Sequence, residues 1–359
     1  MARADLSYVA GALMQPGDTT SRLSFVQYGA MAAYESRIFF EQQVGILPPP
    51  PMWDPAMAAA ARHAGKFFED THRHLDGVVD YFARLVEANH EFFFPKSRPA
   101  RWLDGLRSDL AILLLDSTPV LTNVGGYFLL GVAPSVRLDV SAAGPHVRDL
   151  AAGIGQTARW LGFDSSATHT GPVTVEESRL VWRDADTQQA LAMVFGGAFE
   201  PSLAMAMMTI QGAVSSAHRM ARSGCCAGCN AAAFKQRFLV TYQVLLSLQQ
   251  LHETDGRLTS HGQLRLDAIL ASAPVRELQS RGYRRLRNGL LHLGLGDVPV
   301  GTDGVVTLRD VIFHYTGVDP DNVVAVVDEA VDDVRRGLED WCLTPPPGGT
   351  GLTRVLRKP

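Results

Sequence analysis

Cysteine is scarce in this chain: there are four in 359 residues, three of them crowded at Cys225, Cys226 and Cys229. That is no disulfide framework for a chain of this length, so a reducing compartment is expected, with the cytoplasm as the default. An excess of charge of one sign is lacking as well. Lys and Arg number 33 against 37 Asp and Glu, a formal net charge of −4. This excludes an overall basic field, and any nucleic-acid binding has to come from a local patch. Long hydrophobic runs are missing too. The most apolar stretches, residues 110–115 and 203–214, fall short of the roughly 20 residues that a spanning helix needs, and the second contains Gln211. No membrane span is expected. Residues 1–17 are interrupted by Ser7, Tyr8 and Gly11 and make a poor signal peptide.

Familiar catalytic signatures are also absent. Gly125-Gly126-Tyr127 lacks the spaced glycines and the Lys-Ser/Thr of a phosphate loop, and neither a Gly-x-Ser-x-Gly elbow nor a His-Glu-x-x-His pair occurs. No internal repeat stands out, which counts against solenoids.

What is present is apolar material in quantity. Hydrophobic residues make up 46% and charged residues 19% of the chain, enough for a packed core and incompatible with global disorder. The length favours two domains. Apolar residues recur at helical spacing over residues 21–43, 55–93, 102–113, 147–161 and 187–222, with prolines at 48–51, 95 and 99 as breaks. Residues 120–140, rich in glycine and β-leaning side chains, read as a loop or short hairpin, and residues 173–182 as a strand. The small, glycine-broken run 223–230 is the preferred boundary. Beyond it come helical candidates at 231–253, 261–271, 275–293 and 322–341, with an insertion at 294–308. The expectation is a mainly α fold: a helical N-terminal domain with minor β (1–223), a helical bundle (224–343) and a mobile tail (344–359).

The most informative segment runs from Arg281 to Leu295. On a helix Asn288 and His292 lie within about 40° of each other, with Arg285 close to the same line two turns back. Leu286, Leu290 and Leu293 form the opposite, core-facing stripe. Arginine followed by asparagine and, after three further residues, histidine (Arg287, Asn288, His292) resembles the motif of the HEPN family (higher eukaryotes and prokaryotes nucleotide-binding), and the resemblance spans about residues 231–342. It implies a helical bundle that cleaves RNA without metal or cofactor where two motif helices meet, usually in a homodimer. Arg287 would then hold phosphate, His292 act as general acid or base and Asn288 orient them. Arg281, Arg284 and Arg285 would supply the basic patch, and a toxin or defence role would fit. Arg287 and His292 sit about 140° apart around an ideal helix, and the same residues also describe a plain solvated basic face.

Other constellations point elsewhere. Glu69 and His72 stand three apart, as do Glu87 and His90, the spacing of a helical carboxylate–imidazole metal pair. The two pairs are about 27 Å apart on one straight helix and cannot share a metal pair; no second Glu-x-x-His stands on another helix, and Glu35 and Glu41 could donate one carboxylate each. His63 and His74 add imidazoles to this region. An alternative function is therefore a small-molecule enzyme with a metal or cofactor site near Glu69, His72 and the Met205-Met207-Met208 segment, and a third is a non-catalytic interaction protein. Cys225, Cys226 and Cys229 with His218 offer soft ligands but only one cluster, so idle thiols are the expectation.

Overall fold

The protein is known from a computed structural model, which describes residues 2–14, 19–45, 55–65, 75–94, 108–132, 140–162, 177–222, 230–254, 256–300, 306–352 and 356. Fourteen α-helices and three strands occur among the described residues, giving the mainly α architecture with minor β that the residue pattern predicts.

Helices α1 (Ala2–Met14) and α2 (Thr19–Phe39) pack together, and α2 ends in a π-helical turn, Phe40–Val44, closed by left-handed Gly45 (φ 69°). The segment expected as one helix over 55–93 is two: α3 (Pro55–Gly65) and α4 (Leu75–Phe93). Leu75, Val78, Phe82 and Leu85 of α4 face inward and are almost fully buried.

Leu110–Leu115, read as the end of a helical stripe, is instead strand β1, paired antiparallel with β2 (Thr118–Thr122) and β3 (Leu180–Ala185) in the order β2-β1-β3. A short, fully apolar run has no period to separate strand from buried helix. The deciding feature is the turn: Asp116 (φ 51°) and Ser117 (φ 67°) are both left-handed, the geometry that lets a two-residue hairpin follow strand twist. The register shifts between Leu113 and Leu114, opposite Pro119, which has no amide to offer the ladder.

Within residues 120–140, read as a loop or short hairpin, the structure has the end of β2 and then α5 (Asn123–Leu129), started by Thr122, whose hydroxyl accepts from the Gly125 amide at 2.9 Å. Helix α6 (Val140–Trp160) follows. The single helix expected over 187–222 breaks into α7 (Thr187–Met193) and α8 (Pro201–Arg222); Phe195 (φ 55°) and Gly196 (φ 66°) turn left-handed between them, and the segments Thr187–Gly197 and Pro201–Arg219 are bent by 71° relative to each other. Helix α8 is the central element. Leu203, Met205, Met207, Ile210 and Val214 are fully buried, so the methionines are core filling. Gly212 lets α8 touch β2, since a Cβ there would lie 2.6 Å from the Val120 carbonyl oxygen.

Beyond residue 229 run α9 (Asn230–Glu253), α10 (Ser260–Leu270), α11 (Ala273–Leu278), α12 (Arg281–His292), α13 (Leu308–Thr316) and α14 (Pro320–Leu343). The expected helix 275–293 is thus split at Gln279–Ser280. Helices α9 and α14 pack on α8, and one apolar core runs from Leu6 to Leu356 across the sequence boundary at 223. The start of the expected mobile tail is docked: the Gly196 amide donates to the Thr344 carbonyl at 3.1 Å, and Leu352 is fully buried. Among the described residues no single helix is long and apolar enough to cross a membrane; the bent α7–α8 pair meets the length and composition criterion and forms the interior of the fold.

Candidate functional site

Helix α12 is strongly two-faced. Tyr283, Leu286, Leu290 and Leu291 are buried, whereas Arg281, Arg284, Arg285, Asn288 and His292 are exposed. At about 100° per residue, Arg281, Arg285, Asn288 and His292 fall in one stripe about 60° wide. The helix ends immediately after His292, because Leu293 takes the left-handed conformation (φ 53°) that a branched side chain rarely adopts.

Two glycines bring α13 against α12. A Cβ on Gly282 would lie 3.2 Å from the Thr316 Cα, and one on Gly289 would lie 2.4 Å from the Tyr315 ring. Tyr315 therefore lies against the helix that carries the motif. Its hydroxyl donates towards Asp297 Oδ1 at 2.6 Å, with the Gly294 carbonyl 2.9 Å away. Burial, together with the Asp297 carboxylate, pushes the phenol up to about 12, and the same hydrogen bond holds Asp297 below the usual carboxylate range. The Arg285 guanidinium sits 5.6 Å above the centre of the Tyr315 ring, a cation–π contact that fixes the cation at the mouth of the site.

The far wall comes from the N-terminal part of the chain. Helix α2 packs on α12 and places Glu35 Oε2 2.9 Å from His292 Nδ1. The imidazole is 51% exposed and the carboxylate only 15%, so the histidine faces solvent while its anchor does not. Phe39 and Phe40 follow at the end of α2, the second held edge-on against Trp160 at 4.9 Å. Phe39, Phe40, Leu161, Arg285, Asn288, His292, Asp297 and Tyr315 line one open cleft of about 1080 Å³.

Of the residues the sequence singles out, Arg285, Asn288 and His292 meet in this cleft. Arg287 does not line it. It is buried at 9% exposure and donates from Nη1 to Asn288 Oδ1 at 3.0 Å, so it reaches the cleft through the asparagine. The cation at the cleft is Arg285, expected only as part of a basic patch. Arg281 and Arg284 are exposed on the preceding turns of α12, outside the cleft lining. No family model, no curated protein and no solved structure matches the chain. The chemistry therefore rests on this geometry.

Glu69, His72, His74, Cys225, Cys226 and Cys229 lie outside the described residues. Among the described residues no three His, Cys, Asp or Glu side chains are grouped to hold a metal ion. His63 is a core residue, stacked on Phe128 at 4.2 Å with Nδ1 2.6 Å from the Phe128 carbonyl. His90 pairs with buried Asp109 at 3.1 Å, a carboxylate that also accepts from the Thr187 amide and hydroxyl. His218 pairs with Asp332 at 3.3 Å. The sequence did not point to Phe39, Phe40, Asp297 or Tyr315 as site residues. Glu35 drew attention only as a spare carboxylate, since its partner is 257 positions away.

Proposed function

We propose that the α12 cleft binds single-stranded RNA and cleaves it without a metal ion, in the manner that resemblance to the HEPN family implies. The observation that carries this reading is the convergence of Arg285, Asn288 and His292 in one open cleft with aromatic side chains. Guanidinium and amide suit a phosphodiester: the first supplies a fixed positive fork, the second a neutral donor. Half-buried Phe39 and Phe40 give an unstacked base a platform, and base–aromatic stacking tolerates any sequence.

The reaction that fits these groups is internal transesterification. The 2′-oxygen attacks phosphorus and loses its proton, the P–O5′ bond breaks, and O5′ gains a proton. The products are a 2′,3′-cyclic phosphate and a 5′-hydroxyl. An imidazole titrates near neutrality and can take the first proton or give the second; His292 performs one of these transfers and water the other. Arg285 stabilises the charge that builds on the phosphorane oxygens, and Asn288, held by Arg287, keeps its amide directed at the same group.

The test is cleavage of a labelled single-stranded RNA in the presence of a chelator. Wild-type protein is expected to leave cyclic phosphate ends and His292→Ala to lose about 10²-fold or more in rate. Equal rates in the two proteins, or cleavage abolished by the chelator, contradict the reading.

A further inference from the structure

Glu35 belongs to α2, far from the motif in sequence, yet its carboxylate forms a hydrogen bond with the His292 ring. A carboxylate oxygen can only accept, so the nitrogen it faces, Nδ1, must carry a proton. In the neutral ring that leaves Nε2 unprotonated, and an unprotonated nitrogen is what a general base needs. We propose that Glu35 is a positioning residue: it fixes the Nδ1–H tautomer and the orientation of His292 and leaves Nε2 to exchange protons in the cleft. This rests on the ribonuclease reading above.

Three observations support a built arrangement over a surface ion pair. The carboxylate is 15% exposed, so it is largely withdrawn from competing water, while the imidazole it holds is 51% exposed. The other charged groups on this side are placed elsewhere: Arg37 pairs with Glu41 at 3.7 Å, Arg285 lies over Tyr315, and Asp297 accepts from Tyr315. Finally, α2 supplies Phe39 one turn after Glu35, followed by Phe40, so one element delivers both the anchor of the histidine and the aromatic wall. The N-terminal helix thereby contributes to a site whose motif lies wholly in the C-terminal third.

The experiment combines cleavage kinetics with nitrogen-15 NMR of the His292 ring above neutral pH, on full-length protein. Glu35→Ala is expected to lower kcat about 10²-fold with KM little changed. It should also shift the ring from the Nδ1–H form towards the Nε2–H form. Glu35→Gln, which keeps an acceptor oxygen of the same reach, should retain the tautomer and recover part of the rate. In the His292→Ala background Glu35→Ala should cost nothing further, because its effect runs through the imidazole. A wild-type Nε2–H tautomer, or Glu35→Ala cleaving at the wild-type rate while His292→Ala does not, overturns the proposal and leaves the cleft assignment standing. Absence of cleavage in the wild type overturns the ribonuclease reading; the tautomer is still read without RNA, and the Nε2–H form there counts against Glu35 independently.

Discussion

Two arginines two residues apart on α12 have different surroundings, and their substitutions should separate cleanly. Arg285 is exposed at the cleft, whereas Arg287 is buried under Asn288. Arg285→Ala is expected to weaken RNA binding and to reduce the salt dependence by about one unit of slope, as loss of one phosphate contact does, with thermal stability nearly unchanged. Arg287→Ala should cost about 1–3 kcal/mol of stability through the lost packing of its buried side chain; equal effects of the two changes on unfolding would show that the burial difference is not felt. Gly289 supplies a second test. Alanine is the better helix former by about 1 kcal/mol, but its methyl would lie 2.4 Å from the Tyr315 ring. Gly289→Ala should therefore be destabilising on balance, by about 1–2 kcal/mol in denaturant unfolding, and a stabilised variant would refute the close approach. At this scale the sequence made the exposed face of α12 legible, because helical period alone places Asn288 beside His292. It could not show that Glu35 closes on His292, since that contact depends on how α2 is carried past α12.

Helices were legible where an apolar period met a strong stop, as for α14. Breaks inside apolar runs were not. The bend between α7 and α8 has no proline or glycine at its first left-handed residue, Phe195; tertiary contacts hold it there, with the Trp341 indole donating to the Phe195 carbonyl at 3.0 Å and the two rings 5.5 Å apart. Trp341→Phe keeps an aromatic ring and removes the donor, while the Phe195 carbonyl retains the Ala198 amide at 3.3 Å, so a loss of about 0.5–1.5 kcal/mol is expected from one missing hydrogen bond, measured by the denaturant midpoint. An unchanged midpoint would show that the bend is fixed by α7 and α8 alone. Strand β1 was missed for a related reason. Six apolar residues carry no periodicity, and the Asp116-Ser117 turn declares itself only through backbone angles that the residue types do not demand.

Across the whole molecule, buried and half-buried ion pairs fasten distant segments. Lys235 of α9 donates to Asp5 of α1 at 2.5 Å, with both side chains 4% exposed, and the Tyr28 hydroxyl donates to the same carboxylate at 3.0 Å. Burial, then Asp5 itself, drives that phenol well above its usual range. Asp5→Ala leaves an uncompensated buried ammonium and should cost about 3–5 kcal/mol, while a paired change to Asp5→Leu and Lys235→Met should recover most of it.

Elsewhere Arg219 of α8 joins Glu339 of α14 at 3.1 Å and Asp116 of the hairpin at 3.6 Å. The Arg179 hydrogen bond holds Asp116 below the ordinary carboxylate range. For Asp332, burial pushes upward but is outweighed by His218 and Arg335. Groups with a depressed folded value contribute stability that is complete above their unfolded pKa and lost as pH falls through the folded one. Stability should therefore decline below about pH 4, and Asp116→Asn should flatten that decline. A midpoint that does not change between pH 5 and pH 3 would contradict this.

A structure of the protein with a short single-stranded oligonucleotide, made inert by 2′-deoxy substitution at the scissile position, would show whether RNA occupies the α12 cleft with His292 at the reacting ribose. A phosphate should lie within hydrogen-bond reach of Arg285 and Asn288. His292 Nε2, with Nδ1 still on Glu35, should lie close enough to transfer a proton, within about 2.6–3.2 Å of O5′ or of the place on C2′ where the missing hydroxyl oxygen would sit. Nucleotide bound elsewhere on the protein, or His292 turned away from the phosphate, would contradict this.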